Sequence, residues 1–488
     1  MARLPEEVLE QIFTFLRPVI KGPEWGCYDR NVPLYKTLAS ICIASKACRR
    51  IATPILYHSV ELPGPAPLEI HNNTPVELIA ERSRWNAKLL YRSVLRDLTL
   101  ATCIHELKIE SCGAENITRA AYLAKHKHFN RLNEEDLERV KQAYKGRHLE
   151  YAFKQPLRER VDVGAHPLEG SLHGEWDDAE VALLIVLCQN LEYLEITFCS
   201  MMRISLPWRA IKGEVEHHDS GSFSRLREIK FREITPETSH GIYFYIAHLR
   251  PLFSLPSLRT FRGKCFKLST LGSPPYTSFI TSLHIQGSSM SSNENFKLML
   301  IACPCLEEFE YSEQWSADAE PRFDMTEAYE DLRTHGSLVQ KLSWFTFNRQ
   351  GAPDGLREVS SLRHLCMPQG MLFGEAQDMI TAEDVPELTE TLPTLVERLD
   401  ISLSRYITYW DNMDLADLPP PPPVVLPDLG EVMDQRIARL CEDTAFESLR
   451  SVWIEHDAEY LAEAPEMSVS GWCSSTHDSW VHLTRGAR

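Results

Sequence analysis

Residue types able to do covalent or metal chemistry are scattered through this sequence, and few stand at working spacings. It holds no Gly-x-Ser-x-Gly elbow, no phosphate-cradling glycine loop and no dinucleotide glycine fingerprint. His105-Glu106 opens a zinc-helix pattern, but Ile109 stands where the second imidazole is required. Cys303-Pro-Cys305 is the closest thiol pair, and without a second pair or a nearby His it reads as buried thiols. His217-His218-Asp219 lies in a polar stretch with Gly221 and reads as an exposed cluster. Carboxylates occur everywhere, so no spacing singles out an acid and a base. The expectation is a protein that is not an enzyme by itself, with no cofactor and no metal.

Binding chemistry is better represented. The net charge of −18 argues against broad contact with a phosphate backbone, so nucleic acid is not an expected partner. Pro419 to Pro423 form a stiff extended run that suits a spacer better than a ligand. Residues 43% apolar and 25% charged describe an ordinary folded chain. Thirteen cysteines without a framework fit free thiols in a reducing compartment. Met1-Ala2-Arg3 leads straight into an amphipathic stretch with no signal core, and the longest apolar run, Val181 to Cys188, is far short of a membrane span. The expectation is an intracellular protein, cytoplasmic and/or nuclear, without membrane contact; Asn116-Ile-Thr118, a glycosylation acceptor by pattern, is then silent.

The elements that would carry any binding residues repeat along the chain. Apolar positions spaced by three and then two recur at Ile104-Leu107-Ile109, Leu191-Leu194-Ile196, Leu226-Ile229-Phe231, Ile280-Leu283-Ile285 and Leu306-Phe309-Tyr311. They return at Leu342-Phe345-Phe347, Leu362-Leu365-Met367, Val396-Leu399-Ile401 and Leu449-Val452-Ile454, and Leu258-Phe261 begins a copy ending at Gly263. Each predicts a short strand with one buried face, preceded by a covering helix such as Val181–Cys188 or Phe296–Ala302. The series resembles a degenerate leucine-rich repeat over residues 98–456, which implies a solenoid-like body with insertions at 113–175 and 403–440. An unrelated set of strands in an α/β domain is the plainer alternative. The first insertion is expected to be a polar helix capped by Asn133, with His126 and His128 on a solvated face.

Residues alternating with the buried ones point to the opposite, concave face. These are Glu195 and Thr197, Lys230 and Arg232, Arg262 and Lys264, His284 and Gln286, Glu310 and Ser312. Lys230, Arg232, Arg262 and Lys264 thus gather in an otherwise acidic chain, a candidate substrate-binding patch for an acidic or phosphorylated segment. Solvated charge is the competing reading.

At the N-terminus, Leu4-Pro5-Glu6-Glu7 starts a helix whose Leu9, Ile12, Phe13 and Leu16 share one face. A second helical pattern runs from about Tyr35 to Arg50, and Thr53-Pro54 is expected to cap a third short one. Such small helices cannot bury all their apolar surface alone and should dock on another protein.

"LPEEVLEQIFTFL" followed by "LASICIASKACRRIATPILYHSVEL" resembles an F-box of the kind common in fungal proteins. The resemblance implies a Skp-type adaptor as partner and, through it, a cullin-based ubiquitin ligase. It assigns adaptor binding to Leu4, Pro5, Leu9, Ile12 and Phe13 of the first helix and to Leu38, Ile41 and Ser45 of the second. The chain departs from the family in the long stretch from Arg17 to Leu34 and in Cys48, where an aromatic residue is usual.

The fold class expected is α/β, a small all-α F-box at 1–60, a connecting helical segment at 61–97, the repeat body, and a tail at 457–488 with no assigned element. The expected function is the substrate-recognition subunit of a Skp-cullin-F-box ligase acting on an unknown protein. A scaffold uncoupled from degradation, or an enzyme with its site on the insertions, are the alternatives.

Overall fold

The computed structural model describes residues 4–18, 27–62, 90–112, 135, 177–198, 210–212, 215, 223–233, 244–245, 249–264, 266–268, 277–290, 292–313, 323–345, 349–350, 355–368, 371–372, 386–402, 429–455, 469–477 and 480–486. The fold is mixed α/β and divides into two units, Met1–Phe244 with His248–Cys265, and Tyr245–Ala247 with Phe266–Arg488. The insertion at 113–175 (but for Glu135), the His217-His218-Asp219 cluster and the Pro419–Pro423 run lie outside the described residues.

The first unit opens with helices α1 (Glu6–Thr14), α2 (Cys27–Ala44) and α3 (Lys46–His58). The expected second helix, Tyr35 to Arg50, is divided at Ser45. Its backbone is extended and its side chain accepts from Cys48 N–H at 3.0 Å, so a new helix starts there. Thr53-Pro54 then lies inside α3 rather than starting a third helix, and α2 reaches back to Cys27 through Pro33. Phe13, Leu38 and Ala52, one from each helix, form the core of this cluster, with Leu9, Leu16, Ile41, Cys42, Cys48, Ile51, Ile55 and Leu56 packed around it.

Strands β1 (Ser59–Leu62), β2 (Glu106–Cys112), β3 (Tyr193–Phe198), β4 (Glu228–Glu233) and β5 (Thr260–Lys264) pair side by side in chain order, all parallel. Helix α4 (Asp177–Leu187), apolar on every side from Ala182 onward, is buried on every side there. Arg17 Nη2 lies 3.4 Å from Glu106 Oε1, and Ser59 donates to the same carboxylate at 2.5 Å, so charge and strand pairing tie the helical cluster to β2.

Most of the parallel strands begin in the same way, which explains the spacing in the sequence. An apolar anchor closes a tight turn with its own N–H, as in Leu191 to Cys188 O, Leu226 to Phe223 O, Leu306 to Cys303 O and Leu449 to Phe446 O. The next residue donates to the equivalent carbonyl of the previous strand. His105, Glu192, Arg227 and Arg259 form such a chain from His58 O in the first unit. In the second, Glu307, Gln340, Arg363, Glu397 and Arg450 form another from Thr281 O, and Arg485, at the end of the last antiparallel strand, bonds to Arg450 O. The anchor and the two alternating residues that follow are buried, so a three-residue phrase fixes turn, register and face together.

The second unit continues this plan with β6 (Ser282–Met290), β7 (Glu308–Glu313), β8 (Lys341–Phe345), β9 (His364–Pro368), β10 (Arg398–Ser402) and β11 (Ser451–Glu455), parallel throughout. Helices α5 (Asn293–Ala302) and α6 (Met325–His335) stand between its early strands, and α7 (Leu429–Glu442) precedes β11. The end of the expected 403–440 insertion, from Leu429, is therefore helical, with Ile437 and Leu440 buried.

One phase differs from expectation. The phrase on β8 is Val339-Leu342-Trp344, because Leu342 lies opposite Phe309 and Trp344 opposite Tyr311. Phe345 falls half-buried on the other face. Gly336 lies in the turn before this strand, where a Cβ would come 2.8 Å from the Leu332 carbonyl. Trp344 fills the core among Phe296, Phe309 and Tyr311. The tail, left without an element by the sequence, contributes β12 (Trp472–His477) and β13 (Trp480–Arg485). These form an antiparallel hairpin that pairs with β11 through β13.

Candidate functional site

Helix α1 is apolar on two adjoining faces, and its own neighbours cover only one. Leu9, Phe13 and Leu16 turn toward α2 and α3, with Phe13 and Leu38 buried. On the adjoining face, at i, i+4 and i+7, Val8, Ile12 and Phe15 are 37%, 46% and 88% exposed. Leu4 and Ile43 are exposed as well, and so are Pro5 and Ser45. Of the residues assigned to adaptor binding, Leu4, Pro5, Ile12 and Ser45 thus face outward. Phe13 and Leu38 are core, and Leu9 and Ile41 pack half-buried against it. The sequence reasoning passed over Val8 and Phe15, although their spacing with Ile12 was the available signal. Glu6 and Arg50, both exposed, form an ion pair between α1 and α3.

The strands position a second surface. In the first unit, Glu61, Lys108, Glu195, Lys230 and Arg262 stand in register across β1 to β5. Lys108 Nζ donates to Glu61 Oε1 at 2.7 Å with both side chains almost wholly buried. Tyr193 Oη donates to Glu195 Oε2 at 2.5 Å. The residues of the expected cation patch stand in strand register, Lys230 opposite Arg262 and Arg232 opposite Lys264. It is also partly neutralised. Lys230 Nζ is 3.7 Å from Glu195 Oε1, and Arg262 Nε is 3.4 Å from Glu228 Oε1. Lys264 is exposed; the Arg232 side chain is outside the described ones. His105, which opened the zinc-helix pattern, instead stacks on His58 and sits 3.1 Å from Glu192.

The corresponding face of the second unit is a grid of polar and aromatic side chains. One row reads His284, Glu310, Ser343, Cys366, Asp400, Trp453 and His482, and the row before it Ser282, Glu308, Lys341, His364, Arg398, Ser451 and Thr484. His284 Nδ1 lies 2.6 Å from Glu310 Oε2, its Nε2 lies 2.7 Å from Ser282 Oγ, and Gln286 donates to Glu310 at 2.6 Å. Burial raises the Glu310 carboxyl, but the hydrogen bonds from His284 and Gln286 outweigh it and hold the group below the usual range. Hydrogen bonding from His284 dominates at Glu308, with Lys341 and Ser282 adding to it against burial, and that carboxyl is held far down. Asp400 follows the same balance, burial being outweighed by His364 at 2.8 Å and by Arg398 at 2.8 and 3.0 Å.

Cys366 sits within this grid beside carboxylates. Burial and then the charges of Asp400 and Glu310 push its thiol up to about 12, the opposite of what a nucleophile needs. Cys303 is buried and pushed up to about 12 by the same desolvation, in keeping with a core thiol. Among the described residues no group of three His, Cys, Asp or Glu side chains could hold a metal, and no helix is long and apolar enough to cross a membrane. Compared with known proteins, the chain matches no family model and no curated protein.

Proposed function

We propose that this chain is the substrate-recognition subunit of a Skp-cullin-F-box type ubiquitin ligase. In this reading α1 to α3 form the F-box and dock the Skp-type adaptor, and the strand-borne body, a degenerate leucine-rich repeat, holds the protein to be ubiquitinated. Catalysis belongs to the ligase complex, and this chain supplies proximity and orientation.

One observation carries the reading: the Val8-Ile12-Phe15 stripe is uncovered, on a helix whose other apolar face already has its own core. A helix that needed only internal packing would show one apolar face, whereas a second one adds surface that only a partner would cover. The order of Leu4-Pro5, Ser45-Lys-x-x-Arg-Arg and Pro54-Ile-Leu-Tyr along the sequence supports the F-box resemblance. The polar grids, each on the face of a sheet opposite its apolar core, supply charge and hydrogen-bonding groups for a protein ligand.

Affinity purification of the full chain from cells carrying a Skp-type adaptor and a cullin tests the proposal. Recovery of both is expected. Failure of the purified chain to bind purified adaptor at micromolar concentration removes the reading.

A further inference from the structure

The turns that start the strands of the second unit share one position whose occupants alternate in size. It is the residue just before each apolar anchor, third in a turn closed by the anchor's N–H. From β7 to β11 it reads Cys305, Leu338, Ser361, Leu395 and Ser448. Leu338 and Leu395 are 49% and 41% exposed, and Phe279, just before the Ile280 anchor of β6, is 44% exposed. The row from β6 to β11 is therefore large, small, large, small, large, small. Among the described residues of this unit the other exposed large apolar side chain is Ile301, next to the Ala302 carbonyl that accepts from Ser278 N–H.

The turn itself does not demand leucine. In the first unit the same position, closed by the same backbone bond, holds Asn190, Arg225 and Ser257. The Val339 and Val396 anchors beside the two leucines are already wholly buried. Large apolar residues at a position that serine fills equally well leave surface for something else to cover.

The alternation selects the occupant. Turned end for end by a two-fold axis, the row meets itself with every large residue opposite a small one. Leu338 then faces Ser361, Leu395 faces Cys305 and Phe279 faces Ser448 of the second copy. Leu338 and Leu395, two strands apart, stand about 10 Å from each other, whereas an extended peptide repeats its same-face side chains about every 7 Å and falls out of step. Charge along the rim does not oppose a second copy. The residues just after the anchors, Glu307, Gln340, Arg363, Glu397 and Arg450, balance two carboxylates with two guanidiniums in a chain of net charge −18. The same reversal sets Glu307 toward the Glu397–Arg363 pair of the second copy, whose members are 3.9 Å apart.

We infer that this rim of the second unit is a self-association surface, on which two copies of the chain pack with the leucines of one seated between the leucines of the other. The inference is separate from the ligase reading, which concerns α1, and stands whether or not the adaptor binds.

Sedimentation equilibrium of the full-length protein over about 1 to 200 µM should show a monomer–dimer equilibrium with a Kd of tens of micromolar, as suits a narrow rim. Leu338→Ser with Leu395→Ser, which installs the residue that neighbouring turns already carry, should weaken it at least about ten-fold without changing the melt. Ser361→Asp sets a charge against Leu338 of the second copy and should do the same with both leucines kept. Leu395→Cys tests the register: under mild copper-phenanthroline oxidation the new thiol should form a disulfide with Cys305 of the second copy, identified by peptide mapping. A monomer across the whole range, a dimer that either variant leaves untouched, or a Leu395→Cys protein without that cross-link would each overturn the surface.

Discussion

Replacing Ile12 by Asp separates a docking helix from a merely structural one. Ile12 is 46% exposed in the free chain, so its side chain contributes little to folding, and an exposed substitution costs within about 0.5 kcal/mol. Under a partner, covering the remaining half of an Ile gives up about 1 kcal/mol. An aspartate facing an apolar surface there adds about 2 kcal/mol of uncompensated desolvation. The sum, about 3 kcal/mol, weakens adaptor binding about 100-fold. Phe13 gives the contrast from the other side of α1. It is buried in the three-helix core, and Phe13→Ala should cost about 3–5 kcal/mol of folding free energy there. Calorimetric titration with purified adaptor and thermal melts of both variants provide the comparison. Ile12→Asp should melt like the parent and lose binding, while Phe13→Ala should melt lower. Binding by Ile12→Asp within two-fold of the parent, with an unchanged melt, refutes the reasoning.

Three further outcomes follow from the interior. Lys108→Met strands the almost wholly buried Glu61 carboxylate and should cost about 3–5 kcal/mol in urea unfolding, most of it recovered when Glu61→Leu is added. Trp344→Ala empties a site lined by Phe296, Phe309 and Tyr311, and should cost about 3–5 kcal/mol by the same assay. Glu308, Glu310 and Asp400 are all held below their ordinary values in the folded chain. Their stabilisation is therefore complete above about pH 4, the unfolded carboxylate range, and lost as the pH falls below it. Urea midpoints at pH 7, 5 and 3 should drop mainly over the last interval, and less so in Asp400→Asn; an unaltered drop in that variant counts against the Asp400 share.

The strands were legible because the anchor and its two alternating partners are local, and the same phrase recurs. The phase at β8 was not, since Val339-Leu342-Trp344 and Leu342-Phe345-Phe347 both satisfy the apolar spacing. Pairing with Phe309 and Tyr311, distant in sequence, decides between them. The terminal hairpin carried a signal in the alternation of Val481 and Leu483 with Trp480, His482 and Thr484, but short amphipathic runs are easily passed over beside polar neighbours. Spacing brought Lys230 and Arg262 together correctly. It did not reveal Glu228 beside Arg262, because such a flanking partner depends on register. On α1, apolar spacing marked Ile12 and Phe13 alike; only the packing of α2 and α3 divides them into rim and core.

The backbone bonds that pin the starts of β2 to β5 and of β7 to β11 to the strand before have an evolutionary corollary. They fix the start of each such segment and leave its far end, as where β10 stops at Ser402, at liberty to grow. Lengthening such a span costs only about 0.6 kcal/mol for each doubling. A lineage built on this plan can try out new loops one at a time, diversifying what it grips while inheriting its architecture intact.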